Sequence, residues 1–171
     1  MKGYFAIVIP TKSYIKAFVK HQLGESPIMV RGTAISNKFY DLLQHKTNER
    51  KTEYSNSRYN ESLKVFVSYR LFRVRGCNLN ETNIMYFNNY LEEEIKSRFY
   101  FLMDTYSAIL PSFEANIPKV RMELGIDDDA WATDTMKKEY YRYRKSKGKA
   151  LFYKKNSSRV VPSERVENIT F

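Results

Sequence analysis

The sequence predicts an α+β protein, with a small mixed sheet, a long helix packed across it and a C-terminal helix-turn-helix-like pair. Short β-rich runs bounded by turn residues occupy 3–9, 28–31 and 63–75. An apolar stripe at steps of three and four residues runs through 81–109, which is typical of a helix lying on a core. After Pro111 the chain contains only helical patterns.

These patterns divide the chain into three parts. Residues 1–110 are predicted to form an α+β core domain, and residues 111–147 a helical pair whose last helix is basic. Residues 148–171 are predicted to form a basic, loosely ordered tail. The first boundary lies where mixed patterns give way to purely helical ones.

The N-terminal segment begins with a strand and a helix. Residues 4–9 predict a buried strand that Pro10 ends. Thr11 or Ser13 can cap the helix that follows, and Gly24 is a good stop signal for it.

The middle of the chain predicts a short helix, a long loop and the clearest strand. Ser36 can cap a helix that reaches about His45, and the polar residues 46–61 predict an exposed loop. Residues 62–75 alternate between apolar and polar side chains, so they predict one strand, or two that meet at a bend. Its basic end is a candidate second positive patch: Arg70, Arg73 and Arg75.

The long helix is predicted to begin after Asn80 as N-cap and to end before Pro111. Its predicted core stripe consists of Ile84, Phe87, Leu91, Ile95, Phe99, Leu102, Tyr106 and Ile109. Ser112 can cap the next helix, in which Pro118 is unfavourable unless the helix begins there.

The last helix is predicted to run from about Asp128 or Ala130 to about Lys147, with Gly148 as its stop. The whole chain has a net charge of +10, and most of it lies in a segment that begins in this helix and extends past it. Between Lys137 and Lys155 there are nine Lys and Arg against one Glu. Such clustered charge favours a polyanionic partner, either nucleic acid or an anionic membrane surface. The alternative is a basic surface without such a partner.

Residues 113–145 predict a helix, a short Gly-containing turn and a basic helix, the order found in helix-turn-helix proteins. On a helical wheel Met136, Tyr140 and Tyr143 cluster on the side expected to pack inward. The other side carries the candidate nucleic-acid contacts: Lys137, Lys138, Tyr141, Arg142, Arg144 and Lys145. Lys and Arg side chains can pair with DNA phosphates, and Arg can also hydrogen-bond to base edges. The Tyr141 side chain can donate to a phosphate or stack on an exposed base. An ordinary helical hairpin with a solvated basic face is the alternative.

The acidic residues before this helix complicate duplex recognition. Asp127, Asp128, Asp129 and Asp134 would repel phosphate, so insertion would use the middle or C-terminal part of the helix, or the helix would lie along the backbone. Three consecutive carboxylates could suggest a Mg²⁺ site, but they point in different directions at a helix start. Helix capping is the better explanation, and we expect no metal site.

The sequence contains no pattern of catalytic residues. Tyr140-Tyr141 could suggest a strand-transfer nucleophile, but the histidine pair that such nicking enzymes need is absent. There is no Gly-rich phosphate loop and no Ser/His/Asp arrangement, and Arg31-Gly32-Thr33 belongs to no recognisable motif. We therefore expect a protein that is not an enzyme and needs no cofactor.

The single cysteine, Cys77, excludes an internal disulfide and fits a reducing compartment. No apolar run approaches the length of a membrane span, and the run at 4–9 is too short for a signal peptide. These features predict a cytoplasmic protein without a membrane partner.

The stretch from Leu124-Gly125-Ile126 through Trp131 to the Tyr/Arg run at 138–145 resembles the C-terminal part of small uncharacterised helix-turn-helix-like proteins of bacterial prophages and conjugative elements. The resemblance implies an accessory DNA-binding or regulatory role on a mobile element and transfers no catalytic residue.

The sequence thus predicts a nucleic-acid-binding protein, with duplex DNA favoured over RNA and a homodimer compatible with such binding. A structural or assembly protein of a phage or mobile element with an acidic partner is the alternative. A third hypothesis is an RNA-binding module that stacks bases on its tyrosines.

Overall fold

The computed structural model describes residues 3–45 and 59–157, with side chains up to Gly148. Most of the long loop predicted at 46–61 lies outside the described residues. The fold is α+β, as predicted. Its elements are β1 (Tyr4–Thr11), α1 (Ser13–Leu23), β2 (Ile28–Met29), α2 (Ala34–Leu42), β3 (Glu61–Ser68), α3 (Tyr69–Arg75), α4 (Glu81–Ile109), α5 (Phe113–Leu124) and α6 (Thr133–Ser157).

The described residues fall into two compact units, one up to Thr133 and the other from Asp134 onward. The first unit contains the sheet and α1 to α5. The described part of the second unit is α6 without its first residue, Thr133, which belongs to the first unit.

The sheet is mixed and has the strand order β1-β3-β2. β1 and β3 are antiparallel, whereas β2 and β3 are parallel. The register pairs Ile7 with Val65 and Ile9 with Leu63, and all four side chains are buried. On the alternate positions Val8 remains 60% exposed, so the period of two defines one core face and one open face.

The prediction that Pro10 ends the first strand is wrong. β1 continues to Thr11, with Pro10 opposite Ser62. β1 is an edge strand, and an edge position tolerates the missing N–H of proline. Helix α1 is then preceded by Lys12, which makes no side-chain cap, so the predicted caps Thr11 and Ser13 were also wrong.

The prediction of a strand through 75 is wrong beyond Ser68. The Ser68 hydroxyl accepts a hydrogen bond from the Leu71 N–H at 3.3 Å and caps α3. Tyr69 and Phe72 then lie three residues apart on one helix face, and both rings stack on Phe5 at centroid distances of 5.9 and 4.3 Å. A strand would have put these two rings on opposite faces. This aromatic contact explains why the helix replaces the predicted strand.

Helix α4 spans the predicted range and is capped as predicted by Asn80, whose Oδ1 accepts from the Asn83 N–H at 2.8 Å. The prediction for its stripe was wrong at the C-terminal end, where Met103 is buried and Ile109 is 81% exposed. The fully buried apolar side chains of α4 follow steps of four residues: Phe87, Leu91, Ile95, Phe99 and Met103.

Buried polar side chains attach α4 to β1 and to α2. The Thr11 hydroxyl donates to Asn88 Oδ1 at 2.6 Å, and Asn88 Nδ2 donates to the Pro10 carbonyl at 3.0 Å. Asn83 Nδ2 donates to the Leu42 carbonyl at 2.8 Å. Because buried polar groups are costly unless paired, these bonds fix the position of α4 along β1 and α2.

Three other boundaries differ from the sequence predictions. Helix α2 is capped by Thr33, whose hydroxyl accepts from the Ser36 N–H at 3.2 Å, so Ser36 lies inside the helix. Helix α5 is capped by Ser112 as predicted, but it contains Pro118 instead of starting there. Helix α6 begins at Thr133 and passes through Gly148 to Ser157.

Gly76 lets two backbone segments approach closely. Gln44 and Asn78 exchange hydrogen bonds of 2.9 and 3.1 Å beside it. A Cβ on Gly76 would lie 2.2 Å from the Gln44 carbonyl oxygen, and φ is +82°. The backbone therefore requires glycine here for two reasons.

We predict that Gly76→Ala destabilises the protein more than Gly24→Ala, measured by urea unfolding. Gly24 has a similar backbone conformation, with φ +88°, but a Cβ there meets nothing within 4 Å. Both substitutions incur a backbone cost of about 1–3 kcal/mol. The overlap with Gln44 adds roughly 2 kcal/mol at Gly76. Equal losses for the two variants would contradict this account of the close approach.

Candidate nucleic-acid interface

The candidate interface begins with the connection between α5 and α6. It spans 125–132, between the end of α5 and the start of α6, and is longer than the three or four residues usual in helix-turn-helix motifs. Gly125 caps α5 in the left-handed conformation, and the Ile126 N–H returns to the Arg121 carbonyl at 3.1 Å. This turn provides hydrogen-bond donors for the last backbone carbonyls of α5.

Arg121 organises this connection, although no sequence pattern singles it out. Its Nη2 donates to the Trp131 carbonyl at 2.7 Å and to the Thr133 hydroxyl at 3.0 Å. The same nitrogen pairs with Asp128 Oδ1 at 2.5 Å. Trp131 is buried and its ring contacts Tyr14 and Phe99 at centroid distances of 5.1 and 5.2 Å. The connection is therefore anchored to the first unit as far as Thr133.

Two of the aspartates before α6 accept hydrogen bonds from another residue of this connection and from Thr133. Asp127 Oδ1 accepts from the Ala130 N–H at 2.8 Å, and Asp128 Oδ1 accepts from the N–H and hydroxyl of Thr133 at 3.1 and 2.8 Å. The hydrogen bonds from Thr133, together with the charge of Arg121, hold the pKa of Asp128 below its ordinary value. Within the described residues, no group of three or more His, Cys, Asp or Glu side chains is placed to hold a metal ion.

A pH-dependent contribution to stability follows from the lowered pKa of Asp128. Because the pKa is lower in the folded protein, the ionised carboxylate stabilises the fold above about pH 4, and this contribution is lost as the pH falls through the folded value. We predict that the difference in urea midpoint between wild type and Asp128→Asn is largest near neutral pH and shrinks below about pH 4. Asp129→Asn is the control, since no hydrogen bond joins Asp129 to other described residues. A difference that grows on acidification would contradict the assignment.

The described side chains of α6 separate into a buried side and a basic side. Met136 and Tyr140 are buried, as the helical wheel predicts, and Tyr143 is half-buried with its ring 6.2 Å from that of Tyr140. Lys138, Tyr141, Arg142 and Lys145 are exposed and follow i, i+3, i+4, i+7 spacing. We call these four residues the basic stripe. They lie about 180° around the helix from Met136 and Tyr140.

The remaining predicted contacts on α6 lie beside the basic stripe. Arg144 is exposed, with its guanidinium 5.9 Å from the centroid of the Tyr140 ring, whereas Lys137 is half-buried. Arg142 Nη1 lies 3.8 Å from Glu139 Oε2, with Arg142 exposed and Glu139 half-buried. A surface pair of this length contributes little, so a phosphate can compete for the guanidinium.

The predicted second patch lies on α3, in the first unit. Arg70, Arg73 and Arg75 are all exposed there. The prediction that they end a strand is wrong. On a seven-residue helix Arg70 and Arg73 point to similar sides, whereas Arg75 points elsewhere.

Comparisons with protein-family models, with curated proteins and with solved structures find no match to this chain. None of the helices in the described ranges combines the length and apolar character needed to cross a bilayer.

Proposed function

We propose that this chain is a non-enzymatic nucleic-acid-binding protein whose α6 contacts duplex DNA. The observation that carries the proposal is the basic stripe on α6, opposite the buried Met136 and Tyr140. Three cations on one helix face can contact successive phosphates. Tyr141, which is 53% exposed, lies between these cations on the helix face, where its hydroxyl can donate to a phosphate or its ring can stack on a base.

The expected mode of binding is contact with the phosphate backbone. The connection at 125–132 is longer than a helix-turn-helix turn, and Asp134 lies in the first turn of α6. Both features argue against entry of the N-terminal end of α6 into the major groove. The middle of the helix, which carries the basic stripe, is the part expected to approach DNA. An accessory role on a mobile element and binding as a homodimer belong to the same proposal.

Fluorescence anisotropy with a labelled DNA duplex, single-stranded DNA and an RNA hairpin, each at low and moderate salt, tests this function. We expect binding at low salt that weakens as salt rises, with the duplex bound most tightly. Polyglutamate as competitor separates nucleic-acid binding from a preference for an acidic protein partner. Absence of binding to all three nucleic acids at low salt would reject the proposal. Tighter binding to the RNA hairpin than to the duplex would mean that RNA, and not duplex DNA, is the ligand.

A further inference from the structure

A cleft of about 540 Å³ lies in the first unit. Its lining consists of Tyr4, Met29, Val30, Arg31, Tyr40, Ser68, Arg70, Leu71 and Val74. This volume falls within the range of roughly 300–1,000 Å³ common for small-molecule sites.

The topology of the sheet explains where the cleft lies. β2 and β3 are parallel, so Met29 and Ser68, the last residues of the two strands, reach the same edge of the sheet. β1 runs in the opposite direction and brings its first residue, Tyr4, to this edge. Crevices at the carboxyl ends of parallel strands are common ligand sites. The Tyr40 hydroxyl donates to the Met29 carbonyl and attaches α2 to the end of β2.

The charge of the cleft comes from two arginines. Arg31 follows β2 and Arg70 follows β3, and both are exposed. The lining contains no acidic side chain. Within the described chain neither guanidinium forms an ion pair or a hydrogen bond, unlike Arg98, which pairs with Glu94 at 2.7 Å.

The pKa of Tyr40 reflects both its burial and the charge of Arg31. Burial raises this pKa above its ordinary value, and the charge of Arg31 partly opposes the rise. The guanidinium is therefore close enough to act on the Tyr40 hydroxyl. That hydroxyl remains neutral and keeps its hydrogen bond to Met29.

The rest of the lining is largely apolar. Val30 and Val74 are 60% and 64% exposed, and Tyr4 is 40% exposed. Together with Leu71 they give the cleft an apolar wall beside the two cations. A ligand that fits this surface carries an oxyanion at one end and an apolar or aromatic body at the other.

We propose that this cleft binds a small organic phosphate no larger than a mononucleotide, with the phosphate held by Arg31 and Arg70. Arginine suits phosphate because its planar fork donates two parallel hydrogen bonds. The body of the ligand packs against Val30, Leu71 and Val74, and the Tyr4 ring is available for stacking. This proposal does not depend on DNA binding by α6.

Amide chemical-shift titration tests the cleft with phenyl phosphate and adenosine monophosphate as probes at millimolar concentration. Inorganic phosphate and phenol are the matched half-ligands. We expect the two organic phosphates to shift the amides of Val30, Arg31 and Leu71, and each half-ligand to bind at least tenfold more weakly. No shift at these amides with either organic phosphate, or equal binding of inorganic phosphate, would overturn the proposal.

Variants separate the cleft from general charge attraction. Arg31→Ala and Arg70→Ala should each weaken binding of phenyl phosphate at least tenfold, and Val30→Trp should block the cleft without removing charge. Arg73→Ala is the matched control, because Arg73 is exposed on the same helix but does not line the cleft. Equal losses in Arg70→Ala and Arg73→Ala would overturn the site. All four positions are exposed, so these variants should keep the wild-type spectrum elsewhere.

Discussion

Phe99→Ala is expected to lower the free energy of unfolding by about 3–5 kcal/mol. Phe99 is fully buried in the middle of α4, and its ring lies 5.2 Å from that of Trp131. The substitution leaves a cavity and also removes a wall of the Trp131 site, which anchors the connection before α6. Because α4 is the helix on which the first unit packs, the surroundings have little freedom to collapse into the space. Urea unfolding followed by circular dichroism measures the loss.

Phe101→Ala is the matched control, two residues away on the same helix. Its side chain is 70% exposed, so the same change in chemistry should alter the free energy of unfolding by no more than about 0.5 kcal/mol. A loss below about 1 kcal/mol in Phe99→Ala, or equal losses in the two variants, would contradict the described packing of α4.

The triple variant Lys138→Ala/Arg142→Ala/Lys145→Ala is expected to weaken binding to duplex DNA on the order of a hundredfold at low salt. These three residues supply the positive charge of the basic stripe, and all are exposed on the side of α6 opposite Met136 and Tyr140. Their loss therefore removes phosphate contacts without opening the buried side. Thermal unfolding of the variant should match that of wild type.

Loss of net charge alone must be separated from loss of the stripe. Lys20→Ala/Lys64→Ala/Lys119→Ala removes the same number of positive charges from the first unit. This control should retain affinity within a few-fold of wild type. Equal weakening by the two triple variants would mean that binding follows total charge, and α6 would then not be the contact surface.

Much of the fold could be predicted because local signals and tertiary packing agree. The caps Asn80 and Ser112 lie where sequence places them, and the alternation in 62–68 gives the buried face of β3. The prediction fails where a pattern of period two continues into Tyr69 and Leu71. There the rings of Tyr69 and Phe72 reach Phe5 only on a helix, a contact between distant segments that no local pattern reveals.

The candidate sites differ in how far they can be predicted from the sequence. The basic side of α6 follows directly from helical periodicity, and Met136 and Tyr140 are buried as the wheel predicts. The roles of Arg121 and Arg31 depend on tertiary structure. Arg121 acquires its partners when the chain turns back after Gly125. Arg31 and Arg70 line the same cleft because they follow the parallel neighbours β2 and β3, which sequence spacing does not disclose.

The dependence of duplex affinity on salt, measured for wild type and for the Lys138/Arg142/Lys145 triple variant, tests most directly whether α6 binds nucleic acid. Each phosphate contact contributes about 0.9 to the slope of log affinity against log salt. We predict that the slope of the variant is shallower than that of wild type by about 2.7, with the fold unchanged. Identical slopes for the two proteins, or a wild type that does not bind the duplex at low salt, would contradict the proposed function of α6.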